Sequence, residues 1–280
     1  MRSLQVFATL AVLSIVPLMP AAAEPGPQEQ YAAEIADAEH FGELIYRHDQ
    51  AAWLATDAVQ QLRTDKRVRG WITNEHKDGI VVSFVGTTSG DALHELYRVR
   101  LSAEGMLEGP ADVVDPPRVL TAEEQAQFKA RTTAATSSFE RCSDRYNSVV
   151  LPAQREGKPT WIVYLLTGVT KAETLAVGGN FRFDVSGDGA SVLESRAFTR
   201  ACMEMSYAKD PDKGEIKMMV LTHLLDPVPT ELHAFLSLTS GKSLVVLTTL
   251  NNLMWLVDHG RIQFLQKVDP ENIEESGPGN

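Results

Sequence analysis

None of the common catalytic signatures is complete in this 280-residue sequence. The motifs Gly-x-Ser-x-Gly, His-Glu-x-x-His and Gly-x-Gly-x-x-Gly, which mark a serine nucleophile, a zinc site and a dinucleotide site, are all missing. Cysteine is scarce as well. The sequence has two cysteines and no Cys-x-x-Cys pair, so neither a dithiol redox site nor a catalytic thiol is indicated. The sequence therefore favours a non-catalytic protein and leaves its activity open.

Positive charge is also in short supply. The chain carries 26 Lys and Arg against 37 Asp and Glu, a formal net charge of −11. An acidic surface repels polyanions, and no segment interleaves basic with aromatic residues, so we expect no nucleic acid partner. Beyond residue 24 the most apolar segment, residues 244–257, is interrupted by polar residues and is shorter than the roughly 20 residues of a membrane helix. We therefore expect no membrane span in that part.

The N-terminus has the pattern of a secretory signal peptide. Arg2 precedes an apolar stretch over residues 4–19, and Ala21 and Ala23 supply the small residues that signal peptidase prefers. Cleavage after Ala23 is expected, which predicts a periplasmic or secreted protein. Because the predicted leader carries only Arg2 as a charge, its removal changes the net charge from −11 to −12.

The two cysteines, Cys142 and Cys202, are expected to form a disulfide. An exported protein with an even cysteine count matures in an oxidising compartment, where such pairs form and persist. In the chain-entropy model, a loop of roughly 60 residues corresponds to about 4 kcal/mol of stabilisation. The pairing predicts stability and assigns no activity.

Hydrophobic periodicity predicts an α+β fold built from two helix-then-antiparallel-meander units, with a β-rich second half. Residues 24–120 form the first unit, with helical spacing over residues 28–62, strands at 68–73, 80–85 and 95–101, and prolines from Pro110 onward ending the meander. Residues 121–268 form the second. A capping box at Thr121 and Glu124 opens its helix, and the helical face is expected to continue through Cys142 to Tyr146. Strands are expected at residues 148–152, 161–167, 180–185, 191–197, 215–225, 231–238, 244–249, 254–257 and 261–265. Residues 269–280 are expected to be a disordered tail.

One segment concentrates groups that could bind a metal. If residues 226–230 form a hairpin turn, His223 lies opposite His233, with Glu231 and Asp226 near them. Two imidazoles with a carboxylate suit a divalent transition metal or acid/base chemistry at neutral pH. The alternative is an ordinary cross-strand histidine pair beside a turn that Asp226 caps, and this alternative is favoured.

A second cluster lies on the first helix. Asp49, Trp53 and Asp57 recur at intervals of four and therefore share one helical face. Carboxylates beside an aromatic ring could bind a sugar or a cation. The competing interpretation is that Asp49 caps a helix and Trp53 packs in the core.

Residues 180–186, 199–202, 222–226 and 231–238 resemble a group of uncharacterised exported bacterial proteins of similar length. The resemblance covers most of the second half of the chain. It implies a protein of the export compartment and assigns no activity, cofactor or site residue.

Two functions from different classes follow as hypotheses. The favoured one is a non-catalytic module of the cell envelope that binds a protein, peptide or glycan and needs no cofactor. The alternative is a metal-assisted hydrolase with His223, His233 and Glu231 as ligands and Asp226 orienting a ring or activating water.

Overall fold

The computed structural model describes residues 25–88, 90, 92–169, 171–209 and 214–269, with the side chains of Gln61 and Arg63 left out. The predicted signal peptide over residues 1–23 and residues 270–280 of the predicted tail lie outside the described residues. Within the described part the chain is mixed α+β and rich in β-structure, which confirms the predicted class. No helix among the described residues is long and apolar enough to cross a membrane.

The described chain begins with helices, which an antiparallel sheet follows. A single turn, α1 (Pro27–Gln30), leads into α2 (Ala32–Ala58), and a short 3-10 helix (Gln60–Arg63) ends the helical region. The first sheet has the order β1-β2-β3-β4, formed by β1 (Val68–His76), β2 (Gly79–Thr87), β3 (Leu93–Ser102) and β4 (Asp112–Val119). Its first three strands confirm the prediction.

The strand β4 was missed because it contains two prolines. Pro116 and Pro117, expected to end the meander, lie within β4. β4 pairs with β3 alone and is an edge strand, where proline is tolerated because one side of the backbone has no partner to bond.

Helix α3 (Ala122–Thr136) begins with the predicted capping box. Thr121 Oγ1 accepts the N–H of Glu124, and the Glu124 carboxylate accepts the N–H of Thr121. The helix ends at Thr136, so the expectation that helical spacing continues to Tyr146 is wrong. Cys142 lies in the loop after α3, and Tyr146 begins the next strand.

The second sheet is antiparallel, in the order β5-β6-β8-β9. Its strands are β5 (Tyr146–Arg155), β6 (Lys158–Thr167), β8 (Phe181–Ser186) and β9 (Val192–Ala197). A small two-stranded sheet pairs β7 (Thr174–Ala176) with β10 (Glu204–Ser206) beside it. The four long strands match predicted ones, whereas the short pair was not predicted.

The end of the chain forms a third sheet that contains a strand–helix–strand crossover. Its elements are β11 (Met218–His223), α4 (Glu231–Ser240), β12 (Ser243–Thr248), β13 (Leu253–Asp258) and β14 (Arg261–Lys267). Strands β11 and β12 are parallel, which requires a crossover, and α4 provides it. The expected strand over residues 231–238 is therefore wrong, and so is the expectation that the second meander is antiparallel to its end.

Helix α2 contacts strands of all three larger sheets, and it also packs against α4. Its first half contributes Ile35, Ala38 and Ile45 to a core shared with α4 and with the second and third sheets. Its last turns contribute Ala51 and Ala55 to the core under the first sheet. Strand β1 of the first sheet also contacts β5 of the second. Gln127 of α3 bridges the two strands by donating to the backbone oxygens of Thr73 and Val150.

Candidate functional site

The predicted disulfide is present. Cys142 and Cys202 are bonded, with their Cα atoms 5.4 Å apart, and the bond joins the loop after α3 to the loop after β9. Gly179 has a φ of +81° beside it, and a Cβ there would lie 2.6 Å from the Cys142 sulfur, so only glycine fits. With both cysteines bonded, no thiol is left to act as a nucleophile.

The structure brings His223, His233 and Asp226 together without the hairpin from which their proximity was predicted. His223 ends β11, Asp226 lies in the following loop, and His233 is in the first turn of α4. The two imidazole rings are 4.8 Å apart and meet edge to face. His223 Nε2 lies 2.8 Å from Asp226 Oδ2, which also accepts a bond of 2.9 Å from Arg196.

Each of the two imidazoles has one nitrogen bonded within the protein. His233 Nδ1 accepts the backbone N–H of Thr230 at 3.0 Å, and burial lowers the pKa of His233 to about 3, so its imidazole is neutral. Burial alone would raise the pKa of Asp226, but the bond from His223 and the charge of Arg196 hold it below its usual value. The arrangement is that of a buried polar cluster.

Glu231, the predicted third ligand, is engaged elsewhere. Its carboxylate accepts bonds from the hydroxyl of Tyr164 at 3.2 Å and from Arg182 at 3.5 Å. Among the described residues, no group of three or more His, Cys, Asp or Glu side chains is placed to hold a metal ion.

The second predicted cluster borders a cleft of about 670 Å³, which we call the α2 cleft. Asp49 and Trp53 of α2 form one wall, whereas Asp57 lies one turn further along the helix and does not line it. The indole of Trp53 is 57% exposed, so the interpretation of Trp53 as a core residue is wrong. Opposite α2 stand Asn147 of β5 and the segment that leads from β6 to β7.

Asp49 is the titratable group of this wall. It lies within α2 and does not cap the helix, which corrects the competing interpretation. Its Oδ1 accepts a bond of 3.1 Å from the amide of Asn147. Burial raises the pKa of Asp49 to about 6, although the Asn147 bond acts in the opposite direction. A carboxyl group that titrates near neutral pH in the wall of a cleft is typical of functional sites.

The remaining lining combines apolar and polar groups. The apolar part includes Leu175, Tyr207 and Phe235, and the polar part includes Thr167, Lys171 and Thr174. The buried side chain of Asn180, which was not among the predicted site residues, holds two points of this wall. Its oxygen accepts the N–H of Thr167, and its amide donates to the backbone oxygen of Ala176.

A buried carboxylate in the first sheet was also missed. Glu95 of β3 is fully buried and accepts bonds from Ser83, Arg98 and Arg118, of which Arg118 also holds Glu124 of the α3 capping box. Burial alone would raise the pKa of Glu95, but the bonds from Arg98, Ser83 and Arg118 hold it below its usual value. Alternation along β3 predicts one buried face, which carries Tyr97 and Val99. It does not reveal Glu95, which bonds to Ser83 and Arg98 on the other face, beyond the register shift between β2 and β3.

The α2 cleft combines several kinds of side chain. It offers an aromatic ring, a carboxylate, amides and hydroxyls on walls fixed by helix and strand, and pockets of this composition commonly hold small ligands. Comparison with protein-family models, with curated proteins and with solved structures gives no match to the chain.

Proposed function

We propose that this protein is a non-catalytic binding module of the cell envelope whose ligand is a glycan held in the α2 cleft. The observation that carries the proposal is the exposed indole of Trp53 beside the half-buried Asp49, in the wall of a cleft of about 670 Å³. The ring and the carboxylate come from the same helical face, one turn apart, so α2 fixes their relative position.

The indole of Trp53 suits the apolar face of a sugar ring. Apolar surface left in water costs about 25 cal/mol per Å² relative to burial, so a rigid indole at a cleft has much to gain from a ligand that covers it. A pyranose presents C–H groups on its faces and hydroxyls around its edge. Tryptophan complements such a ligand because its apolar ring can lie against the sugar face while polar neighbours reach the edge.

The polar groups of the cleft suit sugar hydroxyls, which both donate and accept. Asp49 accepts, Lys171 donates, and Asn147 and Thr174 can do either. Neither Lys171 nor Asp49 makes an ion pair with another residue of the described chain, so both are free to meet a neutral polar ligand. A few polar groups among apolar walls provide orientation as well as affinity.

The test is calorimetric titration of the mature chain with chitotetraose, cellotetraose, maltotetraose and mannotetraose. We expect at least one of them to bind, and we expect Trp53→Ala to weaken that binding by about tenfold or more, as is usual for a central aromatic contact. Asp49→Asn should also weaken it. Asp57→Asn is the matched control, because Asp57 shares the helical face and lies outside the cleft, and it should leave binding unchanged.

Two results would overturn the glycan proposal. One is the absence of binding by any of the four sugars at millimolar concentration. The other is equal loss in Asp49→Asn and Asp57→Asn, which would mean that the carboxylates act through the general field of the acidic surface. If an extended peptide binds and Trp53→Ala abolishes that binding, the α2 cleft is still the binding site, but its ligand is a peptide and the glycan proposal is wrong.

The alternative function is a metal-assisted hydrolase. The short distances among His223, His233 and Asp226 support it, whereas the lack of a metal-holding group of side chains among the described residues opposes it. Elemental analysis of the purified protein distinguishes the two functions. If the protein contains stoichiometric zinc or manganese and His223→Ala loses it, the hydrolase replaces the binding module as the proposed function. If the folded protein contains no metal, the hydrolase is excluded.

Export to the periplasm or the medium is part of the proposal. The disulfide supports it, because disulfides persist mainly outside the cytosol. Mass spectrometry of protein from cell fractions should find a chain beginning at Glu24 in an exported fraction. A full-length chain confined to the cytosol, with both thiols reduced, would contradict this expectation.

A further inference from the structure

A second cavity, of about 550 Å³, borders the opposite flank of α2. We call it the His48 cavity. It lies where α2 passes over the adjoining parts of the first and second sheets, with His40, Leu44 and His48 on the helix side. These residues are spaced by four and turn away from the Asp49–Trp53 flank. The His48 cavity is therefore distinct from the α2 cleft.

His48 points to a ligand in this cavity. Its side chain is only 3% exposed, and its Nδ1 is 2.7 Å from the hydroxyl of Thr73. Its Nε2 has no hydrogen-bond partner in the described part of the chain. Burial lowers the pKa of His48 to about 4, so the imidazole is neutral at physiological pH. Among the described residues, Trp71 Nε1 is the only fully buried side-chain nitrogen or oxygen without a partner, so His48 Nε2 is reached by solvent from the cavity. An occupant of the cavity can take the place of that solvent and bond to this nitrogen.

The cavity wall also has an apolar part. Phe41 and Leu44 of α2 face Leu151 and Pro152 of β5 and Ile162 of β6 across it. Such a wall favours a ligand with an aliphatic or aromatic body.

The uncompensated charge of the wall is negative. Glu75 is paired with Arg47 at 2.6 Å, and Arg182 is held by Asp184 at 3.0 Å and by Glu231 at 3.5 Å. Glu123, in the first turn of α3, makes no ion pair with any described residue. A positively charged group in the cavity would therefore be attracted to Glu123.

We propose that the His48 cavity binds a small organic ammonium compound. Its apolar body lies against Phe41, Leu44 and Leu151, its ammonium group is held by Glu123, and the free nitrogen of His48 accepts a hydrogen bond from that ammonium group. This site is independent of the glycan proposal, since the two cavities lie on different flanks of α2.

The experiment compares three probes of one size that differ in charge: 2-phenylethylammonium, 2-phenylethanol and phenylacetate. Each probe is titrated into the mature protein, and its binding is followed by calorimetry and ligand-observed NMR. We expect the ammonium compound to bind about tenfold or more tightly than the other two, because an uncharged ligand lacks the attraction of the Glu123 carboxylate and an anionic ligand is repelled by it. Phenylacetate should bind most weakly.

Two variants locate the binding. Glu123 is exposed, so Glu123→Gln should fold normally and weaken ammonium binding by about fivefold, the scale of one partly solvated charge pair. Glu34→Gln is the matched control, because Glu34 occupies the first turn of α2 and lies outside the cavity. It should change nothing. Ala153→Leu, which places a larger side chain in the cavity wall, should abolish binding.

The proposal is overturned if 2-phenylethanol or phenylacetate binds as tightly as the ammonium compound. It is also overturned if Glu123→Gln and Glu34→Gln have the same effect, or if none of the three probes binds at millimolar concentration. Loss of glycan binding in Trp53→Ala with ammonium binding retained would show that the two cavities are separate sites.

Discussion

Asp49 shows how a single group can link the α2 cleft to the stability of the molecule. Burial raises its pKa from 3.8 to about 6, so the folded state holds a proton that the unfolded state has already released. The contribution of Asp49 to stability is therefore fully present below about pH 4 and is lost as the pH rises through 6. At neutral pH the charged, half-buried carboxylate costs at most about 3 kcal/mol.

We predict that Asp49→Asn stabilises the protein at pH 7.5 and leaves its stability at pH 4 nearly unchanged. An asparagine keeps a side-chain oxygen for the Asn147 amide and carries no charge. Urea unfolding at the two pH values measures the difference, with the exposed Asp57→Asn as control. If Asp49→Asn is destabilising at pH 7.5, the burial argument is wrong. A gain in stability together with weaker glycan binding would identify a group retained for function.

The contribution of His48 to stability should change with pH in the opposite direction to that of Asp49. Its pKa falls from 6.5 to about 4 on folding, so its contribution to stability is present above about pH 6.5 and is lost as the pH falls toward 4. At pH 4.5 that loss amounts to about 2–3 kcal/mol relative to neutral pH.

We predict that His48→Gln lowers stability at pH 7.5 and narrows the difference in unfolding free energy between pH 7.5 and pH 4.5. Glutamine does not titrate and can still reach the Thr73 hydroxyl. The exposed His76→Gln provides the control, and its pH profile should match that of the wild type. An unchanged pH profile in His48→Gln would show that His48 is not the titrating group.

At the scale of residues, the sequence predicted which face of an element a side chain occupies better than it predicted what surrounds that side chain. Helical spacing placed Asp49 and Trp53 on one face, and the structure has them in one wall of a cleft. Spacing alone could not show that Asp57 falls outside that cleft, because its limits are set by strands more than 80 residues away. The role of Glu95 was missed for a different reason, since its burial depends on Ser83, Arg98 and Arg118, which only the folded sheet brings together around it.

At the scale of elements, α4 shows where periodicity misleads. Residues 231–238 alternate between polar or small and large apolar side chains often enough to suggest a strand. The helix is nevertheless marked by Thr230 before its first turn and by Gly241 after its last, with Gly241 in the left-handed conformation at φ +62°. The surroundings decide the outcome, because both faces of α4 are buried and an apolar segment buried on all sides has no clear period.

The packing of α4 against α2 leads to a third prediction. A Cβ at Gly42 would lie 2.4 Å from the Cβ of Ala234 and 2.9 Å from the backbone oxygen of Glu231. Alanine gains about 1 kcal/mol over glycine in helix propensity, but here the two helices would have to separate. We therefore expect Gly42→Ala to be destabilising by about 1–3 kcal/mol.

Thermal and urea unfolding measure this effect. Gly26→Ala is the control, because no atom lies within 4 Å of the added carbon there. A neutral or stabilising Gly42→Ala would mean that the α2–α4 contact is looser than described. Because α2 borders both cavities, the same variant should also weaken ligand binding at the α2 cleft.

At the scale of the whole molecule, the disulfide is the feature that the sequence predicted most completely. The cysteine count and the expected compartment were sufficient to predict the bond, and the amino-acid sequence shows the 60-residue separation of its two cysteines. The third sheet was not predictable in the same way, because pairing β11 with β12 in parallel depends on recognising α4 between them. Strand positions were therefore mostly correct, while the assembly of the last sheet was not.

The disulfide also gives the fourth prediction. Replacing both cysteines by serine should lower the free energy of unfolding by about 4 kcal/mol, the entropy of closing a loop of this length. Urea unfolding of the double variant, compared with wild type in the presence and absence of reductant, measures it. Reduced wild type should match the double variant. If oxidised wild type is no more stable than the variant, the bond does not contribute to stability in this way.

The same covalent link has a mechanical consequence. The bond between Cys142 and Cys202 encloses every strand of the second sheet, so a force applied at the two ends of the chain passes through the sulfur atoms and around that sheet. In an optical trap, the oxidised molecule should extend roughly 200 Å less than the reduced one, since each extended residue spans about 3.3–3.6 Å. Tension would then dismantle the first and third sheets while the second stays shielded.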